Sequence, residues 1–136
     1  MATWLFVSCY LWDSQFDQHR LNFFQSKKEE DADRLVQRAY FIWENQPDWV
    51  KVLFPAEYTY CHLRFPKGGS EIWGVPEGAD QLRQYTASGI LCDEMAFQNE
   101  AEKAYTAAKP TINGGGRFTG VSSANPGFFH WLVSNK

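Results

Sequence analysis

Cysteine is scarce in this chain, with three residues in 136: Cys9, Cys61 and Cys92. Their odd number, wide separation and lack of metal-ligand spacing argue against a disulfide framework or a structural zinc site, and fit a reducing, cytosolic setting. Basic charge is not in excess either. Thirteen Lys and Arg face 16 Asp and Glu, for a formal net charge of −3 and a pI near 5.6. Such a balance excludes a chain whose whole surface grips nucleic acid and leaves room only for local basic patches. No apolar run reaches the length of a bilayer span. The apolar start, "MATWLFVSCYLW", has no basic n-region and no A-x-A cleavage site, so it reads as a buried helix and not as a targeting segment. Internal repeats and low-complexity tracts are absent. What is present is 44% hydrophobic, 17% aromatic and 21% charged residues, the composition of one globular domain with a sizeable core.

Along the chain, the first helix shows no cap and no strand before it. Leu21 to Gln25 ("LNFFQ") is short and aromatic, as a buried strand would be. Ser26 with Glu29 forms an S-x-x-E capping box, and Ala32, Leu35, Val36, Ala39, Ile42 and Trp43 repeat at helical spacing until Pro47. "YTYCHLRF" (Tyr58 to Phe65) alternates as one half-buried strand, with Thr59, Cys61, Leu63 and Phe65 on one side. "PKGG" turns it back into "SEIWGV" (Ser70 to Val75), a hairpin. Gly78 to Gln84 reads as a short helical turn. Gly89 to Cys92 is a strand, and Asn99 with Glu102 caps a helix that Pro110 should end. "NGGGRFTGVSSANP" supplies a loop, a strand over Arg117 to Ser122, and a helix start with Asn125 as N-cap and Pro126 at N1. Strands alternate with helices, which predicts an α/β fold with a mostly parallel sheet.

The stretch "GILCDEMAFQ" (Gly89 to Gln98) passes from an apolar run straight into two carboxylates. In a parallel α/β sheet, ligands bind at the carboxyl ends of the strands, and Asp93 and Glu94 sit at such an end. Side chains alternate along an extended chain, so one carboxylate can hold a metal while the other orients water. This is the pattern of a Walker B motif. A strand that simply runs into a polar loop before the next helix would read the same from these residues alone. His19, His62 and His130 are scattered, and Cys61 and His62 alternate across a strand, so neither set reads as a metal site.

Taken together and in order, "LNFFQSKKEEDADRLVQRAYFIWE", "SGILCDEMAF", "AEKAYTAAKPT" and "GGGRFTGVSSANPGFF" resemble the ATPase domain of the tailed-phage terminase large subunit, the motor that packages DNA into proheads. The resemblance covers essentially the whole chain. It implies a partial P-loop NTPase of the RecA/ASCE-like kind: one partial domain over residues 1–136, with a mostly parallel sheet flanked by helices and an inserted β-hairpin. It implies ATP and Mg²⁺ as cofactors, with Asp93 as the Mg²⁺ ligand and Glu94 as the catalytic carboxylate. Ser122, Ser123 and Asn125 in "SSAN" match the motif that senses the γ-phosphate, and Arg83 in "QLRQYTAS" matches an arginine that reaches a neighbouring subunit's ATP. "SKKEEDADR" reads as a solvated helix start, with Lys27 and Lys28 at a strand end near DNA or nucleotide as the alternative. The implied partners are double-stranded DNA, the portal protein and the terminase small subunit, with a homo-oligomeric ring in the full-length protein and no membrane. The implied compartment is the host cell cytoplasm. A helicase or AAA-like motor would share the same Walker B strand.

The pattern also departs from that family. No G-x-x-x-x-G-K-[ST] run occurs, and "NGGGR" is no substitute because it precedes a strand instead of opening a helix. In the family the P-loop would fall directly before the first helix, so "MATW" resembles its last residues and Thr3 matches the hydroxyl that touches Mg²⁺. The expectation is a piece of a motor ATPase without most of its P-loop and without the nuclease domain, inactive by itself, its Arg117 to Ser122 strand left as a sheet edge. A non-catalytic remnant that binds DNA or a partner is the alternative.

Overall fold

The computed structural model describes residues 2–77, 85, 87–94, 101–122 and 128–134. Its elements are helix α1 (Ala2–Phe16), strand β1 (Leu21–Ser26), helices α2 (Glu29–Glu44) and α3 (Asp48–Leu53), strands β2 (Glu57–Thr59), β3 (His62–Phe65), β4 (Ser70–Pro76) and β5 (Gly89–Asp93), helix α4 (Ala101–Asn113), strand β6 (Arg117–Val121) and helix α5 (Phe128–Ser134). The strands form a six-stranded sheet in the order β2-β3-β4-β1-β5-β6. Strands β4, β1, β5 and β6 run parallel, while β2, β3 and β4 form an antiparallel meander at one side. The expected mixed α/β sheet with a β-hairpin is therefore present.

Side-chain alternation along β1 and β5 decides how the two faces are covered. Phe24 and Leu91 point to one face, where Val7, Tyr10 and Leu11 of α1 and Leu35, Val36 and Ala39 of α2 close over them. Phe23 and Ile90 point to the other, against Val75, Ala87 and Ala108. With both faces packed, these strands read as near-continuous apolar runs. Two glycines allow the layers to approach. A Cβ at Gly89 would stand 2.6 Å from a Tyr10 ring carbon and 2.7 Å from Asn22 Oδ1, and one at Gly74 would meet the Ala32 carbonyl oxygen of α2 at 3.0 Å.

Several local expectations are corrected. Ser26 is not a helix cap: it is buried as the last residue of β1, and the N-cap of α2 is Lys28, with no side-chain cap hydrogen bond. Tyr58 to Phe65 is not one strand. The chain turns at Tyr60 and Cys61, Cys61 takes a φ of 58°, and β2 pairs back onto β3. The cause is non-local: buried Asp33 of α2 accepts hydrogen bonds from the Cys61 amide at 2.7 Å and the Tyr58 hydroxyl at 2.6 Å, which fixes the turn. Pro110 does not end α4, which continues to Asn113. Standing in the last turn, it forfeits only one helical hydrogen bond. Helix α1 is not buried all round: Leu5, Trp12 and Phe16 are exposed. The expected turn over Gly78 to Gln84 and the caps at Asn99 and Asn125 lie outside the described residues.

Candidate functional site

Parallel strands deliver their carboxyl ends to one rim of the sheet, and Asp93 closes β5 there. Asp93 follows Leu91 by two residues and so faces the α1/α2 side. Helix α1 begins at the same rim. Its Thr3 hydroxyl donates to Asp93 Oδ1 at 3.4 Å, a contact between residues 90 apart in sequence. On the neighbouring strand, Val121 is the register partner of Asp93, so Ser122 emerges at this rim as well. Thr3 and Asp93 thus touch at one end of the sheet, and Ser122 follows β6 at the same end.

Glu94 is exposed, and its φ is 53°. A left-handed backbone costs a non-glycine residue about 1–2 kcal/mol, and such strain is found at functional sites. It also corrects one inference, because extended alternation stops at Asp93. The direction of the Glu94 side chain is set by this backbone turn and not by the strand. Arg83, Ser123 and Asn125 lie outside the described residues.

Burial pushes the Asp93 carboxyl above its ordinary range. The Glu94 backbone, the Thr3 hydroxyl and the charge of Arg38 pull it back without cancelling the effect, and Asp31 adds to the rise. Arg38 was not singled out by the sequence. It lies on α2 with its guanidinium 5.3 Å from the centre of the Trp4 ring, beside the start of α1. The available signal was positional: Arg38 falls three residues after Leu35 and four before Ile42, on the apolar face of the helix. Gln25 stands near the same strand ends but on the sheet face opposite Asp93. Buried beside its register partner Cys92, it accepts from the thiol at 3.2 Å, and its Nε2 has no hydrogen-bond partner among the described residues.

A hard divalent cation fits this donor set in part. Mg²⁺ is held through one or two carboxylates with waters and substrate phosphates, and a half-buried carboxylate beside a hydroxyl matches that chemistry. Among the described residues no group of three or more His, Cys, Asp and Glu converges on a metal position. The full phosphate-cradling run G-x-x-x-x-G-K-[ST] does not occur in the sequence.

The fold and this rim define a mixed α/β sheet with an acidic strand end. No protein-family profile and no curated protein matches the chain. Solved structures do, phage large terminases among them. The Thermus phage P74-26 large terminase ATPase domain superposes with a TM-score of 0.73 at 14% identity, over 96% of this chain and 58% of that one. The HK97 bacteriophage large terminase gives 0.69 at 13% identity, over 89% of this chain and 26% of that one. A large terminase from a thermophilic bacteriophage, in complex with ADP, gives 0.64 at 14% identity, over 96% of this chain and 32% of that one. The chain shares the fold of the terminase ATPase domain and spans between 26% and 58% of the length of these three structures. Among the described residues no helix is long and apolar enough to cross a membrane.

Proposed function

We propose that this chain carries the hydrolytic half of a DNA-packaging ATPase site of the large-terminase kind. The observation that supports this most directly is the Thr3–Asp93 hydrogen bond, which joins the start of α1 to the end of β5 at the rim where α/β sheets bind ligands. The ADP complex of the thermophilic-phage terminase supports a nucleotide as the ligand.

In this reading Asp93 and the Thr3 hydroxyl hold Mg²⁺, which when bound neutralises phosphate charge. The Glu94 carboxylate accepts a hydrogen bond from water and orients it toward the γ-phosphate. Ser122, Ser123 and Asn125 sense that phosphate at the end of β6, and Arg83 reaches a neighbouring subunit. Arg38 sets the charge around Asp93 from the far side. Double-stranded DNA, a portal protein and a terminase small subunit are the partners this reading implies, with a homo-oligomeric ring and the host cytoplasm as its setting.

In a motor reconstituted with a phosphate-cradling segment, Glu94→Gln is expected to leave nucleotide bound while turnover falls by at least a hundredfold, the scale of a positioned general base. Unchanged turnover would remove Glu94 from the mechanism. A second reading, a non-catalytic module that binds DNA or a partner, is supported by the absence of a phosphate-cradling run from the chain. ATP binding that is indifferent to both Asp93→Asn and Thr3→Ala would favour it.

A further inference from the structure

Helix α2 sets two charges near Asp93, one of them already neutralised by a neighbour. Asp31 stands in the first turn and is paired with Arg34, whose Nη1 lies 3.2 Å from Asp31 Oδ1. Arg38 is half-buried, and among the described residues no carboxylate pairs with it. A cation that gives up part of its water normally takes an anion in exchange. Arg38 takes an aromatic ring instead.

Its guanidinium lies 5.3 Å from the centre of the Trp4 ring, within the range at which the face of an indole attracts a cation. The ring is propped edge-on by Phe41, the next residue along that side of α2, at 6.1 Å. Trp4 directly follows Thr3, whose hydroxyl donates to Asp93 Oδ1 at 3.4 Å. A positive charge with no carboxylate partner is thereby fixed beside the residue next to the Thr3–Asp93 contact. Its field reaches that contact: of the two charges on α2, Arg38 acts more strongly on the Asp93 carboxyl, drawing it down against the opposing push of Asp31.

We infer that Arg38, held on Trp4, makes this rim select a divalent cation carried by a polyphosphate over the bare cation. The inference rests on the reading of Asp93 as a metal ligand. A bare divalent cation that approaches Asp93 is attracted by one carboxylate and repelled by Arg38. A polyphosphate that chelates the same cation brings more negative charge than the cation neutralises, so the complex as a whole is attracted by Arg38. The metal still has oxygen positions to offer to Asp93 and Thr3, since Mg²⁺ is commonly shared between protein carboxylates and substrate phosphates. Arg38 acts here as a specificity-determining charge through space, and its influence falls as salt is added. An arginine that only packed over Trp4 would leave the choice between the two ligands unchanged.

Mn²⁺ binding to the whole chain, followed by electron paramagnetic resonance with and without inorganic tripolyphosphate, tests this. Arg38→Gln and Arg38→Met both remove the charge, and the second keeps an apolar stem for Trp4 to pack on. Each is expected to tighten binding of Mn²⁺ alone by roughly threefold, the scale of a partly exposed charge interaction, and to weaken binding of the Mn²⁺–tripolyphosphate complex by about as much. Arg38→Lys keeps the charge and should leave both affinities close to wild type, and added salt should shrink the differences. Neutral variants that bind bare Mn²⁺ no more tightly than wild type, or that shift both ligands in the same direction, overturn the role of Arg38 even where Asp93→Asn abolishes binding. If Asp93→Asn binds Mn²⁺ as wild type does, the metal reading of the rim fails, and the inference with it.

Discussion

Asp93 carries the cost of a half-buried carboxylate, and the cost can be measured. Its folded pKa lies above the ordinary carboxylate value because burial disfavours the charge. The protonated form therefore favours folding: this stabilisation is complete below the unfolded pKa and is lost as pH rises through the folded one. Asn mimics the protonated state. Asp93→Asn is expected to raise the melting temperature at pH 7 and to leave it unchanged near pH 3, where the wild-type carboxyl is already neutral. Equal melting temperatures at both pH values would show that Asp93 is solvated in the folded state. Gly89 gives a second test at this scale. Its Cα lies against Tyr10 and Asn22, and Tyr10 is itself tied by its hydroxyl to the Ile90 carbonyl and to Thr119, both at 3.0 Å. With its ring held, Tyr10 cannot retreat, so Gly89→Ala should destabilise the fold by about 1–3 kcal/mol, as overpacked cores do. Chemical denaturation would check this.

At the scale of elements, most of the parallel core was legible in the sequence. The buried strands β1 and β5 announce themselves as short apolar runs bounded by polar residues, and α2 as a clear periodic helix. The misreadings share one physical cause, an interaction from a distant part of the chain overriding a local pattern. Ser26 has the spacing of a helix cap, but β1 holds it as a buried strand residue. Tyr58 to Phe65 alternates like one strand, yet Asp33 reaches across from α2 and holds a turn in its middle. Asp33 also accepts from Gln37 at 2.6 Å, so one buried carboxylate secures three donors. Asp33→Ala should cost about 3 kcal/mol, since hydrogen bonds to a charged group carry roughly 1.5–3 kcal/mol each and are not additive. The loss should appear first as faster hydrogen exchange at the Cys61 amide. Unchanged exchange there would mean that the turn is held by its own pairing. Of the candidate site, Asp93 and its place at a strand end were legible, because chain order alone puts β5 in the parallel sheet. Arg38 was not, since it lies within an apolar pattern and becomes notable only through what the fold sets beside it.

For the whole molecule, the sheet brings Thr3, Asp93 and Ser122 to one rim and leaves β6 with β5 as its only strand neighbour among the described residues. Such an edge invites strand pairing. Lys substituted for the exposed Gly120 would blunt it. The central claim concerns the rim, and manganese binding followed by electron paramagnetic resonance tests it most directly, because Mn²⁺ takes the same oxygen donors as Mg²⁺. The account predicts that the chain binds Mn²⁺ at pH 7, that binding weakens as pH falls and Asp93 takes up a proton, that Thr3→Ala loosens it, and that Asp93→Asn abolishes it. Binding of equal strength in wild type and Asp93→Asn would contradict it.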